Sequence, residues 1–147
     1  MGWQVTTPKI GSDSYQTAIT KAFSQSGVTK SDIELICPHG FGSHVMDYYE
    51  SKAITDIFGK NSDKPLITTL KPYVGHNLGG SALLEAAIML LSFKNNTILP
   101  TLNCEKPNTS YNISLVKERI NKKLTTVMKT CAAFAGYNAA SIFRRFG

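Results

Sequence analysis

Leu70-Lys71-Pro72-Tyr73-Val74-Gly75-His76-Asn77-Leu78-Gly79-Gly80 sets a lysine and a histidine five residues apart in a turn rich in glycine and proline. Directly behind it runs Ala82-Leu83-Leu84-Glu85-Ala86-Ala87-Ile88-Met89-Leu90-Leu91, apolar at nine of ten positions. A helix with one apolar stripe lies on a surface, whereas one apolar nearly all round is covered on both sides. The lone exception, Glu85, falls where a buried charge requires a partner. The stretch reads as polar chemistry displayed at the mouth of a buried helix.

Outward from it, strands alternate with helices. Gly2 to Thr7 reads as a short extended piece. Ser12 or Asp13 then caps an amphipathic helix whose Tyr15, Ala18, Ile19, Ala22 and Phe23 share a face, ending at Gly27. Ile33 to Cys37 is a compact apolar strand stopped by Pro38, and a second helix runs from His44 to Phe58. Leu66 to Thr69 is a strand that leads into the opening turn. Thr97 to Asn103 is extended, Tyr111 to Lys123 is irregular, and Thr125 to Ala133 and Asn138 to Phe146 are two closing strands. The predicted order is β-α-β-α-β-α-β-β-β, an α/β layer with a largely parallel, mixed sheet in one domain, residues 1–147.

Hydrophobic content of 42% with 18% charged residues excludes a disordered chain. No apolar run reaches the roughly 18 residues that a membrane helix needs. The net charge of +6 is dispersed, with Lys122-Lys123 and Arg144-Arg145 as its basic doublets, which argues against nucleic acid and suits an acidic partner. Cys37, Cys104 and Cys131 form neither a disulfide framework nor a metal pair, so a cytoplasmic setting is expected. His39, His44 and His76 lack metal-ligand spacing, and no metal is expected.

Each cluster of polar residues follows a predicted strand: His39, then Lys71 with His76, then the Phe134 to Asn138 turn. Ligands bind at the carboxyl ends of strands in such sheets, which would gather His39, Lys71 and His76. Two neutral imidazoles can donate to one oxygen, or one can act as acid or base. A neighbouring ammonium would keep them neutral, and Glu85 could hold that lysine. Taken singly, each has a plainer reading: a loop histidine, a solvated lysine, or a histidine bonded to its own loop.

Together the motifs are more specific. His39-Gly40-Phe41-Gly42-Ser43, followed by Asp47 and Glu50, resembles the HGTGT-xxx-D-xx-E motif of β-ketoacyl-acyl-carrier-protein synthases. Lys71 to Gly80 with Glu85 resembles that family's K-S-x-x-G-H-x-x-G-A-A-G segment and trailing glutamate. Leu99-Pro100-Thr101-Leu102-Asn103 and Ala133-Phe134-Ala135-Gly136-Tyr137-Asn138-Ala139 resemble its P-P-T-x-N and G-F-G-G-x-N-A pieces. The motifs stand in the family's order over nearly the whole chain.

The resemblance implies one thiolase-like half, the carboxyl-terminal one, without the amino-terminal half that carries the nucleophilic cysteine. By it, His39 and His76 match the catalytic histidines, Lys71 the lysine that orders them, and Glu85 that lysine's partner. Phe134 matches a gating phenylalanine, with Asn138 supporting its turn. Phe41 and Ser43 stand where the family contacts the phosphopantetheine arm of an acyl carrier protein, Phe41 in place of a threonine. Ala135 replaces a glycine. The function implied is decarboxylative condensation of acyl and malonyl thioesters in fatty acid or polyketide synthesis. It needs no cofactor of its own, but does need a cysteine-bearing half and an acyl carrier protein as partners, hence an oligomer. The alternative is a non-catalytic subunit, like a chain-length factor, that shapes an acyl tunnel.

Overall fold

The structure is a computed structural model that describes residues 13–59 and 64–146. The extended piece expected at Gly2 to Thr7 lies outside the described residues. The first helix, α1 (Ser14–Ser26), buries Tyr15, Ile19 and Ala22 and ends at Gly27, whose left-handed backbone (φ 67°) closes the helix. It is followed by β1 (Leu35–Cys37), α2 (His44–Phe58), β2 (Leu66–Ile67), the single turn α3 (Lys71–Val74) and α4 (Ser81–Asn95). Five further strands complete the chain: β3 (Thr97–Ile98), β4 (Ser114–Leu115), β5 (Ile120–Asn121), β6 (Thr126–Ala132) and β7 (Asn138–Arg144).

The main sheet has the order β4-β2-β1-β6-β7. Its first four strands are parallel, and β7 returns antiparallel to β6, so the sheet is mixed as expected. Register assigns the two faces. Leu35 lies level with Leu66 and Val127, and the next row is Ile36, Ile67 and Met128. Side chains alternate along a strand. Leu35, Cys37 and Val127 accordingly join Met89 and Phe93 of α4 in one core cluster, whereas Ile36, Ile67 and Met128 join Ile19 of α1 and Ile54 of α2 in the other. The core is two-sided, helix on sheet on helix.

Three local departures refine the expected order. The extended run at Thr97 to Asn103 is a strand only at Thr97–Ile98, and it pairs with β5 rather than with the main sheet. The segment read as irregular, Tyr111 to Lys123, contains β4 on the sheet edge and β5. Lys71 begins a helical turn with Pro72 inside it. Elements of two to four residues are held by their neighbours, and are too short to show a period of their own.

The apolar helix α4 is covered on one side only. Ser81, Glu85, Ala86, Met89, Ser92 and Phe93 are buried, while Leu83 stays 79% exposed and Leu84, Leu90 and Leu91 share its open face. The expectation of cover on both sides is met on the sheet side alone.

Candidate active site

The carboxyl ends of β1, β2 and β6 lie side by side because these strands are parallel. From β1 the chain passes Pro38 into His39, from β2 it passes Thr68 to Leu70 into Lys71, and from β6 it enters the turn at Phe134. The rings of His39 and His76 meet edge to face, with centroids 5.4 Å apart and planes at 87°. His39 is buried. The Nδ1 atom of His76 lies 2.9 Å from Ser81 Oγ, which also accepts the Asn77 backbone N–H at 2.7 Å. One ring nitrogen of His76 is thus engaged by the start of α4. The Nε2 atom is the one left for other work.

The loop that carries His39 is held on both sides of its backbone. Glu50, buried in α2, accepts the N–H of His39 at 2.8 Å through Oε1 and that of Gly40 at 2.9 Å through Oε2. Thr130 Oγ1 donates to the same Oε1 at 2.7 Å. Burial pushes the Glu50 pKa up, against these donors and the nearby Lys129. On the other side, Lys71 Nζ donates to the His39 carbonyl. Gly40 has φ +54°, and a Cβ there would come within 2.4 Å of Thr69 Oγ1 and 2.8 Å of Thr69 Cβ. Only glycine fits that position. Asp47 Oδ1 accepts the Gly42 N–H at 3.2 Å and steadies the far end of the loop.

Lys71 and Glu85 form a buried ion pair at 2.8 Å, with Glu85 wholly inaccessible. The second oxygen of Glu85 pairs with Lys129 Nζ at 2.7 Å. Lys129 did not stand out in the sequence by any motif, but its signal resembles that of Glu85: a charged side chain inside a run otherwise reading as a buried strand. Burial and then the ammoniums of Lys71 and Lys129, with His76 after them, depress the His39 pKa to about 3. His39 is therefore a neutral imidazole at physiological pH, able to donate from one nitrogen and accept at the other. Cys37 is also enclosed here, and burial pushes its thiol up to about 11. A buried, protonated thiol is a poor nucleophile.

Phe41 lies against both histidines: stacked on His39 at 5.9 Å and edge-on to His76 at 5.4 Å. The remaining residues singled out in the sequence are not in this cluster. Ser43 precedes α2, and its hydroxyl makes no capping bond. Phe134 is exposed in the turn after β6. Asn138 donates to Ser14 Oγ at 2.8 Å and to the Gly136 carbonyl at 3.3 Å, tying that turn to α1. In the same turn Ala135 adopts a left-handed backbone, φ 60°, at a cost of about 1–2 kcal/mol that a glycine would avoid.

Residues 2–105 match the family model for the beta-ketoacyl synthase C-terminal domain. Among curated proteins, the chain is 28% identical over 144 residues to a 3-oxoacyl-[acyl-carrier-protein] synthase 2 of Coxiella burnetii, covering 97% of this chain and 35% of that protein. Among solved structures it is similar to the ishigamide ketosynthase/chain length factor, with TM-score 0.89 and 28% identity over 98% of this chain and 35% of the other. It is likewise similar to a beta-ketoacyl synthase from Burkholderia phymatum, with TM-score 0.83 and 28% identity over 99% of this chain and 34% of that one. The chain spans about a third of the length of the curated relatives it matches. By the match of its motifs, sheet and family model, the chain belongs to the beta-ketoacyl synthases and corresponds to their carboxyl-terminal portion.

Proposed function

We propose that this chain contributes the histidine and lysine part of a ketosynthase site that condenses an acyl thioester with a malonyl thioester. The observation that carries the reading is the pair of perpendicular imidazoles 5.4 Å apart above a buried Lys71–Glu85 pair. The substrates arrive on the phosphopantetheine arm of an acyl carrier protein, the carrier for which the curated relatives are named. A separate chain or segment supplies the cysteine: Cys37 is enclosed and held as a thiol, and Cys104, in a loop, and Cys131, inside β6, match no motif of the family's nucleophile.

The acyl group sits on the partner's cysteine as a thioester. The malonyl thioester loses carbon dioxide, and the electron pair of the broken C–C bond passes to the thioester oxygen as an enolate. His39, held neutral, and His76 donate to that oxygen and stabilise the developing charge. The enolate carbon then attacks the acyl carbonyl, a C–C bond forms, and the cysteine leaves as thiolate. Lys71 positions His39 through its carbonyl, and Glu85 holds Lys71. The setting is the cytoplasm. Among the described residues, no helix is long and apolar enough to cross a membrane.

The test is acyl loading and condensation, assayed with and without a candidate cysteine-bearing half. Turnover that requires both chains is the expected result, and turnover by this chain alone overturns the shared site. A second reading, a chain-length-factor-like subunit, is favoured by Phe41, whose ring occupies space against both histidines. It predicts that His76→Ala leaves the activity of the reconstituted assembly unchanged, whereas the catalytic reading predicts loss.

A further inference from the structure

Lys129 lies in β6, among the strand's five buried residues. A buried ammonium without partners is costly, so its contacts carry information. Its register partner across the sheet is Cys37, the last residue of β1 before the loop that bears His39. Successive side chains leave a strand on opposite faces. Lys129 meets Glu85 of α4 at 2.7 Å, while its neighbour Thr130 meets Glu50 of α2 at 2.7 Å. Lys129 Nζ also donates to the Pro38 carbonyl and to its neighbour's carbonyl, both at 2.9 Å. Lys71 takes the His39 carbonyl. Two successive loop carbonyls therefore end on two ammoniums joined through one carboxylate.

We propose that Lys129 is a positioning residue of this site, the second ammonium that shares Glu85 with Lys71 and fixes the Pro38–His39 backbone so that His39 keeps its place against His76. The proposal rests on the reading of His39 and His76 as the reacting pair. Lys129 adds to Lys71 a second ammonium acting on His39, with Glu85 and Glu50 as the carboxylates beside them. The positive charge of an ammonium opposes protonation of a nearby imidazole. The groups surrounding His39 are Cys37 from β1, Glu50 from α2, Lys71 from α3, His76 from the following turn, Glu85 from α4 and Lys129 from β6. Burial acts against the charge of Lys129, but its acidic neighbours, Glu85 in direct contact and Glu50 beyond it, hold its pKa above the ordinary lysine value.

The test follows the His39 ring signals by NMR in the full chain, from neutral pH down to the most acid condition at which the amide spectrum stays folded. K129Q keeps a donor for Pro38 and removes the charge. His39 in K129Q is expected to begin protonating at a pH higher by roughly one unit, and K129R to restore the native curve. Superimposed native and K129Q curves overturn the proposal. If neither variant folds, the lysine Nζ signals of the native chain decide. A protonated, exchange-protected Lys129 at neutral pH supports it, and an uncharged amine overturns it. The titration uses neither partner nor thioester. A shifted curve alongside absent condensation therefore faults the proposed function alone, and an unmoved curve alongside intact condensation faults only the role of Lys129.

Discussion

The ring of Phe41 lies parallel to that of His39, with centroids 5.9 Å apart and planes 8° from coincident orientation, and it is half-exposed while His39 is buried. The same ring stands nearly perpendicular to His76 at 83°. Phe41 and the exposed His76 are thus the solvent-facing members of a three-ring cluster, and whatever reaches the buried His39 from the Phe41 side passes that ring.

Replacing Phe41 with Thr removes two aromatic contacts, each worth about 0.5–1.5 kcal/mol. A stability loss of about 1–3 kcal/mol is expected in urea titration, together with large shifts of both histidine ring signals. In a reconstituted assembly the smaller side chain is expected to lower KM for the carrier-bound thioester while kcat changes little. An unchanged KM would separate Phe41 from the path of the arm.

Glu85 bridges two buried ammoniums, one from each carboxylate oxygen. Glu85→Gln leaves both cations facing a neutral amide, and breaking a buried pair in this way costs about 3–5 kcal/mol. The double variant Glu85→Gln with Lys129→Met removes one of the stranded charges and is expected to recover part of that loss. Additive destabilisation of the two changes would show that Lys129 and Glu85 are not coupled.

The depressed His39 pKa makes folding sensitive to acid. The unfolded chain takes up a proton near the ordinary value of 6.5, whereas the folded site resists until about 3. More protons are bound in the unfolded state between those values, so this group's contribution is lost as pH falls. The slope approaches about 1.4 kcal/mol per pH unit inside that window. Glu34, buried in part but lowered overall by hydrogen bonds from Thr125 and Thr126, loses its contribution only lower, as pH falls through the carboxylate range. Between pH 6.5 and about 5, His39→Asn should therefore flatten the stability curve measured by urea titration. An unaltered slope would place the acid sensitivity elsewhere.

The central strands and the first helix were legible because Ile33 to Cys37 is a compact apolar run stopped by Pro38, Thr125 to Ala133 reads as a strand, and the α1 stripe keeps helical spacing. The gathering of His39, Lys71 and His76 was legible from topology, since parallel strands bring their carboxyl ends together. Glu85 announced itself as a charge in an apolar helix. Lys129 carries the same signal in a strand, but its partner is a helix residue 44 positions earlier, and nothing in sequence spacing links them. Ser81 was hidden for another reason. A serine at a helix start is an ordinary capping residue, and only the folded turn shows its hydroxyl reaching His76 instead.

The open face of α4 carries the remaining prediction. Leu83, Leu84, Ala87, Leu90 and Leu91 recur at the spacing of one helical stripe, and all five are exposed, opposite the buried Glu85, Met89 and Phe93. Covering Leu83, 79% exposed, would contribute most, approaching the ~1.5–3 kcal/mol of a fully buried leucine, and the half-covered Leu84, Leu90 and Leu91 less each, so the chain should associate through this stripe at micromolar concentration. Leu83→Glu with Leu91→Glu should abolish concentration-dependent sedimentation. Because these side chains already face solvent, thermal stability of the dissociated chain should hold. The outcomes discriminate: association that survives the double change assigns the contact to another surface, and a lower melting temperature without dissociation shows that the stripe packs within the chain.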